Sequence, residues 1–498
     1  IRMATPLFPT MSNAVVDILF FYVPSRLLWE HWVNFWGENS NAWYQQVEYA
    51  VPAIKTSDML KFEHKSLADH LGLPCGISGL QVNALPFRAY VKCWNDWMRD
   101  ENLQQEAPMV TTDTDEYTDD RYAYLGGAML KANKLHDRMT SALPAPQKGN
   151  EVLLPLGSLA PVYSTSQITP TKTTFGGYYA SNLIMRPMGD SYLEGNKMYN
   201  LAGTTNASAT NMGLTTGEEI TDPTDANLTN LQPKNLWTDL SNATAATINE
   251  LRQAFAIQRF YEAQARGGSR YIEFLKNIFG VTSPDARLQR SEFLGGKRIP
   301  LSIFQTVQTG ATTETSPLGQ TGAFSHTYDS NHYFNKSFTE GGYLLGMATI
   351  RYYHWYQQGI HKMFSRRKWT DFYIPQFANL GEEAIKMKEI YATGIPANDE
   401  AVFGYQERYA EYRMRENMIT GELNSTYSQS LDAWHYGDYY ESAPTLGSDW
   451  IKEDKANIDR TLAVESVNAD QFIADFYFNA TYVRQMPMYS VPGLIDHM

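Results

Sequence analysis

Strongly patterned apolar stretches alternate along this chain with stretches that have almost no pattern. Residues 14–23, AVVDILFFYV, are an apolar run with one charge, Asp17, inside it and Pro24 closing it. There is little alternation, so the run predicts a strand buried on both faces. Pro24-Ser25 is then expected to open a helix carrying Leu27, Leu28, Trp32 and Phe35. Residues 86–99 set Tyr90, Trp94 and Trp97 at helical spacing, and the acidic, Thr-rich stretch 102–120 reads as loop. The densest helical pattern lies in 247–296. Thr247 and Glu250 stand at the spacing of a capping box. Ile248, Leu251, Ala254, Phe255, Tyr261 and Ala265 share one face, and Ile257 and Phe260 the other. A helix apolar on two sides predicts burial on two sides. Gly267-Gly268 supplies a left-handed stop. A second helix follows with Ile272, Leu275, Ile278 and Phe279 inward, ended by Gly280. Two helices joined by Gly-Gly also match a helix-turn-helix outline, but Glu273, Lys276 and Asn277 are a poor set for reading bases, so a packing hairpin is expected.

Further on, 298–308 reads as strand, 310–330 as a small-residue loop, and 343–356 as the longest strand. Tyr405, Tyr409 and Tyr412 fall at helical spacing within 399–417, with Gly404 arguing against a helix there. The tail, with Pro487, Pro492 and Gly493, reads as extended and lying along a neighbour. From 157 to about 236 the pattern fades into Gly, Thr, Asn, Ser and Pro. A long unpatterned stretch between two patterned regions is usually functional. Short strands, many loops and a few inserted helices together predict a β-sandwich.

The chain has 498 residues, which by length alone suggests about three domains. Its formal net charge of −13 excludes a nucleic-acid binder recognisable by composition. DNA would have to be met by local basic spots, or its charge neutralised by a partner. Aromatics reach 13%, with 32 Tyr and 11 Trp, and such side chains suit extensive subunit contacts or a sugar-binding groove. Two cysteines, Cys75 and Cys93, are too few for a disulfide framework; one bridge between them stays open, and assembly in a reducing compartment is expected. No apolar run is long enough to span a bilayer, and no signal peptide is evident. The chain starts at Ile1 rather than Met, which leaves room for an early strand upstream.

Several long segments carry a family likeness. QAFAIQRFYEAQARGGSRY and FGVTSPDARLQRSEFLGG in the central region resemble the major capsid protein of the microviruses, and most of all its gokushovirus branch. The same likeness runs through MATPLFPTM, LPFRAYVKCWNDWMRDENLQ, KSFTEGGYLLG, GYQERYAEYR and MPMYSVPGLIDHM, in one order along nearly the whole chain. The resemblance implies a mainly β fold, an eight-stranded antiparallel jelly roll with long insertions that include helices. It implies a first core part at 1–157, a surface insertion at 158–236 protruding at the three-fold axes, and a second core part at 237–498. It implies many copies closing into a T=1 icosahedral shell around circular single-stranded DNA, assembled in the bacterial cytoplasm. The expected partners are a small basic DNA-binding protein, scaffold and pilot or spike proteins, and a host receptor met by the insertion. Phe255, Ile257, Phe260 and Tyr261 are then the candidate subunit contacts.

Candidate chemistry is thin. The chain lacks a phosphate-binding Gly-x-x-x-x-Gly-Lys-Ser/Thr loop, a Gly-x-Ser-x-Gly elbow and a His-Glu-x-x-His helix, so no enzyme and no cofactor are expected. Glu382-Glu383 and Asp119-Asp120 read as solvated faces, and His64 and His70 as members of a charged segment rather than a metal pair. The best local candidate is 351–369, RYYHWYQQGIHKMFSRRKW, which interleaves Arg351, Lys362, Arg366, Arg367 and Lys368 with Trp355, Phe364 and Trp369 and includes His354 and His361. Bases stack on such rings while cations track phosphates, as in single-strand binding. The alternative is that these cations simply pair with acidic neighbours. At the level of function, a carbohydrate-binding or carbohydrate-active β-sandwich is the competing class.

Overall fold

The computed structural model describes residues 1–38, 48–150, 248–268, 270–314 and 317–484, together with short strands between 151 and 247. The chain divides into two compact units, one of Ile1–Gly149 with Tyr261–Met498, the other of Asn150–Phe260.

In the first unit the apolar run at 14–23 becomes β1 (Ala14–Pro24), buried along most of its length. It is the middle strand of an antiparallel three-stranded sheet, with β2 (Glu292–Pro300) on one side and β3 (Gly342–Tyr352) on the other. A strand flanked on both edges and covered on both faces has no use for alternation, which is why its sequence shows almost none. Helix α1 (Leu85–Cys93) continues as a wider-wound turn, Trp94–Met98. It packs Leu85, Ala89 and Cys93 against Phe21 and Val23 of β1 and against Leu28 and Trp29. Toward the start of β1, Ala14 and Val16 pack with Tyr352, Tyr436, Ile458 and Leu462. A further core gathers Met139, Ile385, Phe403, Trp450 and Ile451 around the hairpin of β4 (Glu382–Lys386) and β5 (Val402–Glu407).

Several expectations change. The helix after Pro24 shrinks to single turns, Ser25–Leu27 and Trp32–Phe35. Strand 298–308 is two strands, β2 and Ile303–Val307, which pair in different sheets with Leu301-Ser302 in neither. Ile303–Val307 pairs with Thr321–Ser325, so the small-residue loop 310–330 contains a strand. Residues 399–417 form β5 and one turn, Ala410–Tyr412, instead of a helix; Tyr409 sits at φ 63°, where an α-helix cannot continue.

The two patterned helices exist as α2 (Ile248–Gly267) and α3 (Tyr271–Phe279), separated by Gly268 at φ +85° and ended by Gly280 at φ +69°. They form a hairpin in which Asn277 Nδ2 donates to the Ala263 carbonyl at 2.8 Å. Burial on two sides does not hold: Ala265 is the buried residue of α2, and α3 has none. Within a single copy Ile248, Phe255, Phe260, Ile278 and Phe279 are exposed, and Leu251, Ile257, Tyr261, Ile272 and Leu275 are half-buried. Thr247, and with it the predicted capping box, lies outside the described residues, as do Pro487, Pro492 and Gly493.

The second unit contains an antiparallel sheet ordered Leu231–Pro233, Leu183–Pro187, Tyr199–Leu201, Leu214–Thr215, and a separate antiparallel pair, Val162–Ser164 with Leu236–Thr238. The molecule is mixed helix and sheet, and among the described residues its sheets pair antiparallel but for the short parallel contact of Ala53–Lys55 with Glu116–Tyr117. Both cysteines are free thiols, Cys93 buried, so the single bridge left open by sequence is absent. Among the described residues no helix is long and apolar enough to cross a membrane.

Candidate functional site

The basic, aromatic segment 351–369 begins on the last residues of β3, and the structure divides its cations into two groups. Arg351 belongs to the fold. Asp17 is a buried acid in the middle of β1, and Arg298 stands directly opposite it on β2, with Nε 2.7 Å from Asp17 Oδ1. Arg351 reaches it diagonally from β3, with Nε 3.0 Å from Oδ2. Burial pushes the Asp17 carboxyl up, but the two guanidiniums outweigh it and hold the acid below its ordinary range. His354 is equally internal. Its fully buried ring puts Nδ1 2.8 Å from Asp438 Oδ2 and Nε2 3.2 Å from Glu453 Oε2. Burial alone would lower its pKa; the two carboxylates prevail and raise it to about 9.

Lys362 and Arg366 are also paired within the chain. Lys362 Nζ lies 2.9 Å from Glu383 Oε2 and 3.8 Å from Glu411 Oε2. Arg366 donates to Glu411 Oε1 at 2.7 Å and lays its guanidinium 4.2 Å from the centre of the Tyr412 ring. Glu411 is buried. Burial raises its carboxyl, Lys362 and Arg366 lower it, and the net shift is downward. These two cations therefore do the ordinary pairing work foreseen as the alternative to phosphate contact.

Arg367, Lys368 and Trp369 stand apart from them. All three are exposed, Trp369 at 70%. The backbone N–H groups of Arg367 and Lys368 both donate to Asp371 Oδ2 at 2.9 Å, which caps the turn Trp369–Asp371 and fixes its direction. The Trp369 ring lies 6.0 Å from that of Phe377, and Phe364, Phe372 and Tyr373 are exposed in the same stretch. Two outward cations beside a row of open rings can hold a chain of phosphates and bases, or an apolar protein surface.

On α2, Phe255 is 61% exposed and Phe260 is exposed, while Ile257 and Tyr261 are half-buried. The helix end is tied down by Arg266, which pairs with Glu382 of β4 and lies 3.7 Å from Glu407 of β5. The acids that decide which cations are available, Asp17, Glu411, Asp438 and Glu453, stood out in no sequence motif. Only Asp17 gave a signal, as the one charge inside an apolar run.

Residues 1–494 of the chain match the family model described as capsid protein (F protein). It is 40% identical to capsid protein VP1 of Bdellovibrio phage phiMH2K and 39% identical to capsid protein VP1 of Spiroplasma virus 4, in each case over 99% of this chain and 88% of the relative. It is 35% identical to capsid protein VP1 of Chlamydia phage 1, over 99% of this chain and 89% of that protein. Open rings on a capped turn, an apolar helix face left bare in one copy and a likeness that runs from end to end lead to one assignment: this chain belongs to the capsid protein (F protein) family of the microviruses, in its gokushovirus branch, and is a structural protein of the virion rather than an enzyme.

Proposed function

We propose that copies of this chain close into a T=1 icosahedral shell around circular single-stranded DNA, and that the shell is built on an eight-stranded jelly roll of which β1, β2 and β3 form part. The observation that carries this is the amount of large apolar surface bare in one copy. Phe255, Phe364, Trp369 and Tyr477 are all more than half exposed. Patches of that kind mark contacts with other molecules, and closed symmetry lets modest contacts add up to a stable particle. In this reading the 158–236 insertion stands at the three-fold axes and meets the host receptor. A small basic protein or cations neutralise the genome that a chain of charge −13 cannot. Scaffold and pilot or spike proteins serve assembly in the host cytoplasm. Full-length family membership leaves the carbohydrate-active alternative without support.

The experiment is expression of the chain, with its phage partners, followed by electron microscopy of the purified particles. Uniform icosahedral particles are expected; a persistent soluble monomer under all conditions would remove the proposal. For DNA contact, Arg367, Lys368 and Trp369 remain the candidates, with Lys362 and Arg366 committed to Glu411. Arg367→Glu with Lys368→Glu is expected to lower genome content per particle and leave empty shells intact, measured by the ratio of full to empty particles in a density gradient. Unchanged filling would move the DNA contact elsewhere.

A further inference from the structure

Outside these surfaces, one side-chain cluster has the chemistry of a metal site. The segment from His64 to Cys75 doubles back on itself. Lys65 takes a left-handed conformation at φ 67°, and its N–H donates to Asp69 Oδ2 at 2.8 Å. Ser66 caps the short turn Leu67–His70, whose Leu67 and Ala68 are buried in the core with Phe62. Gly76 N–H returns to the Phe62 carbonyl at 2.9 Å, and the Cys75 thiol donates to the Glu63 carbonyl at 3.3 Å. Both ends of the segment are thus fastened to the same place.

The result is that an imidazole nitrogen of His64, a carboxylate oxygen of Asp69 and Sγ of Cys75 all lie within 4.8 Å of one another. His64 Nδ1 is 3.8 Å from Asp69 Oδ2. Three ligands of a tetrahedral zinc ion sit about 3.5 Å apart, given bonds of about 2.0 Å to N or O and 2.3 Å to S. Asp69 is aimed by the Lys65 amide, and the His64 side chain is 84% exposed and free to rotate, so a small ring movement closes the remaining distance. His70 is oriented differently, with Nδ1 2.9 Å from the Ser66 carbonyl. A cleft of about 270 Å³, lined in part by His64, Ser66 and Thr118, opens on the His64 side of the cluster.

We propose that His64, Asp69 and Cys75 form a site for a borderline divalent transition metal, zinc above all, with the fourth position left to water. One nitrogen, one oxygen and one sulfur suit Zn²⁺ or Co²⁺ and do not suit Ca²⁺ or Mg²⁺, which take all-oxygen shells. Thiolate and carboxylate together balance the ion's charge. The bound ion clamps the 64–75 turn to its own base.

The test is titration of the reduced full-length chain with Co²⁺, followed by absorption spectroscopy. A sulfur-to-cobalt charge-transfer band and visible bands of four-coordinate cobalt are expected at one equivalent, displaced by Zn²⁺ and untouched by excess Ca²⁺. Cys75→Ser abolishes the charge-transfer band. His64→Gln and Asp69→Asn weaken binding by more than about tenfold. His70→Gln leaves it unchanged. His64 is exposed, so its variant keeps the fold, which circular dichroism checks. Absence of the sulfur band, its survival in Cys75→Ser, or equal affinity in His64→Gln and Asp69→Asn would each overturn the site.

Discussion

Asp17 shows what one charge inside an apolar strand requires. A carboxylate in that position is stable only with cations that the fold delivers from elsewhere, here Arg298 across the β1–β2 ladder and Arg351 from β3. Replacing it by Asn leaves two guanidiniums facing each other over the sheet. Asp17→Asn is expected to cost about 3 kcal/mol, read as a shift of the denaturation midpoint; a change under about 0.5 kcal/mol would mean that solvent already carries the arginines. His354 gives a pH signature with a definite sign. Its folded pKa, about 9, lies above the ordinary 6.5. The stabilisation from its charged ring is therefore complete below pH 6.5 and drains away as pH rises through 9. Melting temperature is expected to fall over that alkaline window, and His354→Gln, less stable at pH 6, is expected to lose most of that slope. An identical slope in the variant would assign it to other groups. At this scale the sequence was partly legible. Asp17 was visible as a lone charge in an apolar run, though not what it pairs with, whereas the acids beside His354 and Lys362 lie tens of residues away and nothing local pointed to them.

Among the elements, long strands and helices with a dense pattern formed where local sequence placed them: β1, β3, α1, α2 and α3. The errors cluster where spacing was compatible with two structures. Tyr405, Tyr409 and Tyr412 fit a helical face, yet β5 takes Tyr405 because it closes a hairpin with β4, and Tyr405 also exchanges backbone bonds with Leu143. Pairing with a distant segment outweighs a weak local preference. The register of β2 on β1 shifts between Phe293 and Gly295. A Cβ on Gly295 would lie 2.4 Å from the Tyr333 carbonyl oxygen, so no side chain fits without moving that backbone. Gly295→Ala is expected to destabilise by about 2 kcal/mol, the usual cost of forced overpacking. Chemical denaturation measures it, and full tolerance would show that the 333 segment yields freely.

For the whole molecule, the telling mismatch is α2. Its apolar pattern predicted burial on two sides, and a single copy buries little of it. If the missing cover is another copy, Phe255→Ser removes an exposed ring at little cost to the monomer, within about 0.5 kcal/mol, while particle yield falls sharply. Sedimentation of assembled against unassembled protein reads the difference; normal yield would mean that this face meets something other than a copy of itself. Arg367 and Lys368 pose the same question for the genome, since both are exposed while Lys362 and Arg366 pair with Glu383 and Glu411.

By itself the sequence determined the family, the buried strand at 14–23, the helical hairpin of 248–279 and the absence of any familiar catalytic motif, because each is written in contiguous residues. Only the tertiary structure decided which cations pair with buried acids and which lie exposed, and that Cys75, not His70, stands with His64 and Asp69. The reason is physical. Charge pairing and ligand geometry depend on distances of a few ångströms between residues far apart in the chain, and such distances exist only once the chain has folded.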